Sequence, residues 1–132
     1  MSLQRRTLAK AEIDSYHEAG WVLLRRLIAP EYAAALRDEV LEIMRTIGLG
    51  PAKLRQTNQY LAGSGLDRLI NSEDLPLVAA QLLGGPARVY LPFTAVKSTG
   101  GGRFHFHQDN QYTRFDGPGL TTIPSLDNCD LS

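Results

Sequence analysis

The sequence predicts an α+β fold, with helices in the first two thirds and the first strands of a sheet after them. Three patterns carry that prediction. Leu36, Val40, Ile43, Met44 and Ile47 recur at helical spacing before Gly48, Gly50 and Pro51. Leu75, Val78, Ala79, Leu82 and Leu83 form a second helical stripe that Gly84-Gly85-Pro86 breaks. Beyond it, Arg88 to Val96 is rich in β-branched and aromatic residues, and Arg103 to Asp109 alternates polar with aromatic positions.

Taken in order, a first helix is expected from about Ala9 to Ala19, with Ile13 and Tyr16 on its inner face and Gly20 as its left-handed stop. Trp21-Val22-Leu23-Leu24 reads as a short buried strand. Pro30 suits the first turn of the second helix, where a missing N–H does no harm. Arg37, Asp38, Glu39 and Glu42 occupy its outer face. Ala52 to Gly65 is polar and reads as loop with short strand pieces. The third helix follows the turn at Asn71-Ser72. Arg88 to Val96 reads as a strand covered on both faces. Ser98 to Gly102 is a glycine-rich loop, and Asp116-Gly117-Pro118-Gly119 a turn.

The chain has 132 residues, with 14 Lys plus Arg against 14 Asp plus Glu, and the charges balance on both sides of Pro51. That length fits one domain. No basic face is set against phosphates, so nucleic acid is not an expected partner. The apolar runs are too short to span a bilayer, and no signal-peptide stretch follows Arg5-Arg6. Cys129 is the single cysteine, which excludes an internal disulfide or a thiolate cluster from one chain. The expected location is the cytoplasm.

The densest chemistry is Phe104-His105-Phe106-His107-Gln108-Asp109. In a strand, residues two apart share a face about 6.6–7 Å apart at Cα. His107 and Asp109 can therefore approach one metal ion from the same side. An imidazole with a carboxylate suits a borderline divalent metal, and two histidines with one carboxylate leave open positions on Fe(II). A polar strand face turned to solvent is the competing reading of the same residues. His105 shares that face, but His105, His107 and Asp109 together would span about 13 Å in a flat strand, too wide for one ion. His105 is a neighbour of the metal or substrate, or a solvated histidine. Gln108 points to the opposite face, and His17 reads as surface.

Four stretches in order resemble the phytanoyl-CoA dioxygenase family of iron(II)- and 2-oxoglutarate-dependent oxygenases. They are Ile13 to Leu24 (IDSYHEAGWVLL), Leu27 to Glu31 followed by a long helix, Leu82 to Tyr90 (LLGGPARVY), and Phe106 to Tyr112 (FHQDNQY). The resemblance covers Met1 to about Leu120. It implies that the predicted helices pack on the first strands of an incomplete double-stranded β-helix, a jelly-roll or cupin-like sheet. It implies His107 and Asp109 as the first two ligands of Fe(II), with 2-oxoglutarate as cosubstrate and a small molecule as substrate. Lys97 matches a lysine that often precedes a Pro-Gly pair in relatives. Ser98-Thr99-Gly100 stands in place of that pair. On the resemblance Lys97 would pair with a 2-oxoglutarate carboxylate; a surface lysine at a strand end is the alternative.

The family completes its triad with a later histidine and holds 2-oxoglutarate with a later arginine. No histidine follows His107, and the only arginine after Asp109 is Arg114. Residues 121–132 (TTIPSLDNCDLS) do not resemble the aromatic, apolar strand of relatives. The expectation is a domain front over residues 1–120 with an atypical tail at 121–132, as in a truncated or frame-altered product. A natural short paralogue is the alternative. Uncovered sheet edges and apolar faces at Val89, Leu91 and Phe93 would make such a chain prone to self-association. Two functions follow: an oxygenase by descent, or a non-catalytic binding or assembly module that keeps the oxygenase front. A cupin-like metal-binding protein is a weaker third.

Overall fold

Pro30 sets the first turn of the longest helix, and the computed structural model shows how the other elements assemble on it. The structure describes residues 3–5, 7–47, 54–57, 62–90, 92, 94–97, 105–109 and 116–126. The elements are α1 (Lys10–Ala19), α2 (Pro30–Ile47), β1 (Leu54–Thr57), α3 (Gly65–Asn71), α4 (Asp74–Leu83) and β2 (Thr94–Lys97). α2 packs on α3 and lies along β2, α1 packs on α4, and α4 meets α3.

The core follows the helical stripes. Tyr32, Leu36, Val40 and Met44 of α2 are buried, with Leu36 wholly enclosed. Leu66 and Leu69 of α3 and Val78 and Leu82 of α4 meet them, and Leu3 and Leu8 close the cluster. Ile13 and Tyr16 of α1 pack on it half-buried. Gly20 ends α1 at φ 79° and Gly84 ends α4 at φ 73°. Their N–H groups donate to the carbonyls of Tyr16 and Ala80, satisfying last-turn acceptors.

Helix α3 lies between the loop expected up to Gly65 and the turn expected at Asn71-Ser72, where the sequence pattern predicts no helix. Its start is held from two sides. The Asp67 N–H donates to Ser64 Oγ at 3.2 Å, while Asp67 Oδ2 accepts from the Gly63 N–H at 2.8 Å. Glu39 of α2 reaches across with both oxygens, taking the Gly65 N–H at 2.8 Å and the Leu66 N–H at 3.0 Å. A carboxylate on unpaired N–H groups at a helix start satisfies donors that no helical carbonyl can reach. Gly65 makes this approach possible, because a Cβ there would lie 2.8 Å from Glu39 Oε1 and 3.1 Å from Leu36 Cδ2. The Tyr32 hydroxyl donates to the Gly65 carbonyl at 3.2 Å. Burial pushes the Tyr32 phenol above its ordinary range, so it stays a donor.

The N-terminal segment is tied to distant parts of the chain. Gln4 N–H donates to the Leu27 carbonyl at 2.8 Å, Leu8 N–H to Gln81 Oε1 at 2.9 Å, and Leu3 N–H to Asp74 Oδ2 at 3.5 Å. Arg5 grips Glu12 through Nη1 at 2.7 Å and Nη2 at 2.5 Å, and Glu12 Oε2 also takes the Ala9 N–H at 2.9 Å. This last bond is one half of a capping box; Ala9 has no side-chain acceptor for the other half. Arg5 first, then the Ala9 N–H, hold the Glu12 carboxyl down at about 2.

The predicted α+β fold with helices on an incomplete jelly roll is corrected here: the described residues are mainly helical and form no jelly-roll sheet. Their strand pairing is one four-residue antiparallel ladder, from Leu54 opposite Lys97 to Thr57 opposite Thr94. Trp21 to Leu24 is not a buried strand. Val22 and Leu24 are half-buried, while Trp21 and Leu23 are exposed, so only alternate residues face the core. Of the described residues from Arg88 to Val96, only those from Thr94 enter a ladder. Residues 86–90 have no ladder partner, and Val89 and Tyr90 are exposed. Apolar composition on both faces suggested a covered strand, but short apolar runs do not distinguish a strand from a packed irregular segment. Leu91, Phe93 and the glycine loop at 100–102 lie outside the described residues. No helix among the described residues is long and apolar enough to cross a membrane.

Candidate functional site

The segment carrying the histidines leaves the ladder behind. Residues 105–108 take no regular secondary structure, so the predicted alternating strand is absent over the described part of Arg103 to Asp109. Phe106 is fully exposed rather than packed on an inner face. Without a strand to align them, His107 and Asp109 nevertheless converge, with Nε2 and Oδ1 3.3 Å apart. Both side chains are open to solvent.

Local hydrogen bonds orient each partner. His107 Nδ1 lies 2.7 Å from the His105 carbonyl oxygen. A carbonyl only accepts, so Nδ1 carries the hydrogen there. In the neutral ring this makes Nε2 the acceptor, turned toward another acceptor, Asp109 Oδ1. Two acceptors at 3.3 Å repel unless positive charge lies between them, either a proton on Nε2 or a cation held by both. The other carboxylate oxygen, Oδ2, accepts from the Thr121 hydroxyl.

The donor set fits a divalent metal. Two atoms each about 2.1 Å from an ion, at an angle of about 90–110°, lie about 3.0–3.4 Å apart. The Nε2–Oδ1 separation of 3.3 Å falls in that span. A neutral imidazole with its far nitrogen donating to a carbonyl is the form in which histidine ligates. Among the described residues, no group of three or more His, Cys, Asp and Glu is placed to hold a metal.

The remaining candidates fall as follows. His105 contributes its backbone carbonyl to His107, and its side chain is exposed. Gln108 is exposed. Lys97 closes β2 opposite Leu54. His17 is exposed in the last turn of α1, with its ring edge-on to Tyr16 at a centroid distance of 5.4 Å. Arg114 lies outside the described residues. Thr121 was missed. It stands twelve positions from Asp109, inside the stretch that read as an atypical tail, and no local pattern marks it. Leu126 within that stretch, and Leu120 just before it, pack half-buried against the helical core.

No family model matches the chain, and neither a curated protein nor a solved structure matches it.

Proposed function

We propose that His107 and Asp109 bind Fe(II) and that the chain carries these ligands for an iron(II)- and 2-oxoglutarate-dependent oxygenase acting on a small molecule. The observation that carries this reading is the 3.3 Å approach of His107 Nε2 to Asp109 Oδ1, with Nδ1 donating to the His105 carbonyl. Support also comes from the four ordered stretches that resemble phytanoyl-CoA dioxygenases.

In this reading His107 offers the Nε2 lone pair and Asp109 offers Oδ1. The His105 carbonyl holds the imidazole ring in the tautomer that can ligate. Lys97, at the end of β2, would pair its ammonium with a cosubstrate carboxylate. The chemistry supplied when Fe(II) and 2-oxoglutarate are bound is oxidative decarboxylation coupled to hydroxylation of an unactivated C–H bond.

Anaerobic Fe(II) titration of the 132-residue chain with 2-oxoglutarate tests the proposal. A weak visible charge-transfer band is expected, and His107→Ala and Asp109→Ala should each remove it. A chain that takes up no Fe(II), or one whose uptake both variants leave intact, refutes it. The non-catalytic binding or assembly module is the second reading. Succinate release separates the two, because sustained turnover excludes the inert module.

A further inference from the structure

We infer that Thr121 is a positioning residue that fixes how Asp109 presents its carboxylate to a metal; the inference rests on the metal-binding reading of His107 and Asp109. A carboxylate has two equivalent oxygens. On an exposed side chain it can turn about its last torsion to chelate through both, or swing into water. Here the two oxygens have separate partners. Oδ2 accepts from the Thr121 hydroxyl, and Oδ1 faces His107 Nε2 at 3.3 Å. The hydroxyl therefore selects one oxygen for the metal and leaves the other occupied, the arrangement of a one-oxygen ligand.

Thr121 is held in place from outside the site. Its neighbour Leu120 is half-buried and packs against the helical core, as does Leu126. The hydroxyl thus ties the Asp109 carboxylate to a segment whose neighbours rest on the core, while residues 105–108 just before Asp109 take no regular structure. The ring of His107 is restrained by the His105 carbonyl two residues away. One ligand is oriented locally and the other from a distance. A hydrogen bond between two exposed side chains contributes little to stability, so the effect of Thr121 falls on ligand geometry.

The test uses the full chain with Co(II) alone as the probe, measuring affinity by calorimetry and coordination by the visible d–d spectrum. Thr121→Val, which removes the donor at nearly constant shape, should weaken Co(II) binding about tenfold or more, and Thr121→Ser, which keeps it, should stay within about threefold of the parent. The d–d band of the valine variant should shift, and that of the serine variant should not. If the valine variant binds as the parent does while His107→Ala abolishes binding, the positioning role is overturned and the metal site stands. A serine variant weakened as much as the valine variant also overturns it, because the hydroxyl is then not the cause. If the parent chain takes up no Co(II), or His107→Ala binds like the parent, the site itself fails and the role of Thr121 falls with it.

Discussion

Replacing Glu39 by alanine should be far more damaging than the outer-face position expected from the sequence suggests, because the structure half-buries it against α3. Its two oxygens take the Gly65 N–H at 2.8 Å and the Leu66 N–H at 3.0 Å, joining α2 to the start of α3. Both bonds are partly buried and charge-assisted. Such bonds contribute roughly 1.5–3 kcal/mol each when well sheltered, and partial exposure lowers that. Alanine leaves two donors with no acceptor at a helix start, so the expected loss is about 2 kcal/mol. The assay is urea unfolding followed by far-ultraviolet circular dichroism. With a slope of about 1–3 kcal/mol per molar, the midpoint should fall by about 1 M. Glu42→Ala is the control, since Glu42 lies on the same helix and makes an exposed pair with Arg45 at 3.0 Å. Pairs of that kind contribute about 0–1 kcal/mol. A Glu39→Ala loss within about 0.5 kcal/mol of the control would refute the claim that this carboxylate joins the two helices.

Three further outcomes follow from the same packing. Gly65→Ala places a Cβ 2.8 Å from Glu39 Oε1 and 3.1 Å from Leu36 Cδ2; overpacking outweighs alanine's better helix propensity, for a net loss of about 1 kcal/mol by urea unfolding. In a Glu39→Ala background the nearer clash is gone and that loss should shrink toward zero, a coupling that a double-mutant cycle reads directly. Leu36→Ala, at a fully enclosed site, should cost about 3–4 kcal/mol by the same assay. Glu12 is held at about 2 in the folded chain against an ordinary 4.5. The unfolded chain therefore takes up its proton first on acidification. The stabilisation from the Arg5 contact is present above about pH 4.5 and is lost as the pH falls toward about 2. Glu12→Gln should remove that part of the acid dependence, and thermal midpoints of the two chains across this window should converge at its lower end.

Where the sequence was legible, one face of an element was apolar at a single clear period. α1 ends at Gly20, α2 starts at Pro30, and α4 runs up to Gly84, as the stripes and their breakers predict. α3 escaped because seven residues give too short a stripe, although Ser64 and Asp67 stand at capping spacing around buried Leu66 and ahead of buried Leu69. The strand expectations failed for a different reason. Trp21 to Leu24 and Arg88 to Val96 are apolar enough for buried strands, but a strand also needs a partner. Over the described residues only Thr94 to Lys97 finds one, on Leu54 to Thr57. Pairing across forty residues leaves no local trace in composition. The site was legible as a pair of residue types, His107 and Asp109. The contacts that orient them were not, since one runs to a backbone carbonyl and the other to a threonine twelve positions on.

The anchoring of the N-terminal segment sets an order of events during synthesis. Leu8 has its hydrogen-bond partner 73 positions later, at Gln81, and Leu3 has its own 71 positions later, at Asp74. At ordinary ribosomal speeds of about 5–20 residues per second, the first residues wait roughly 4–15 s before their partners exist. During that interval the backbone N–H groups of Leu3 and Leu8 are without these two acceptors. The long helix from Pro30 is synthesised in the meantime, so residues 3 and 8 complete these two bonds only after α2 has been made.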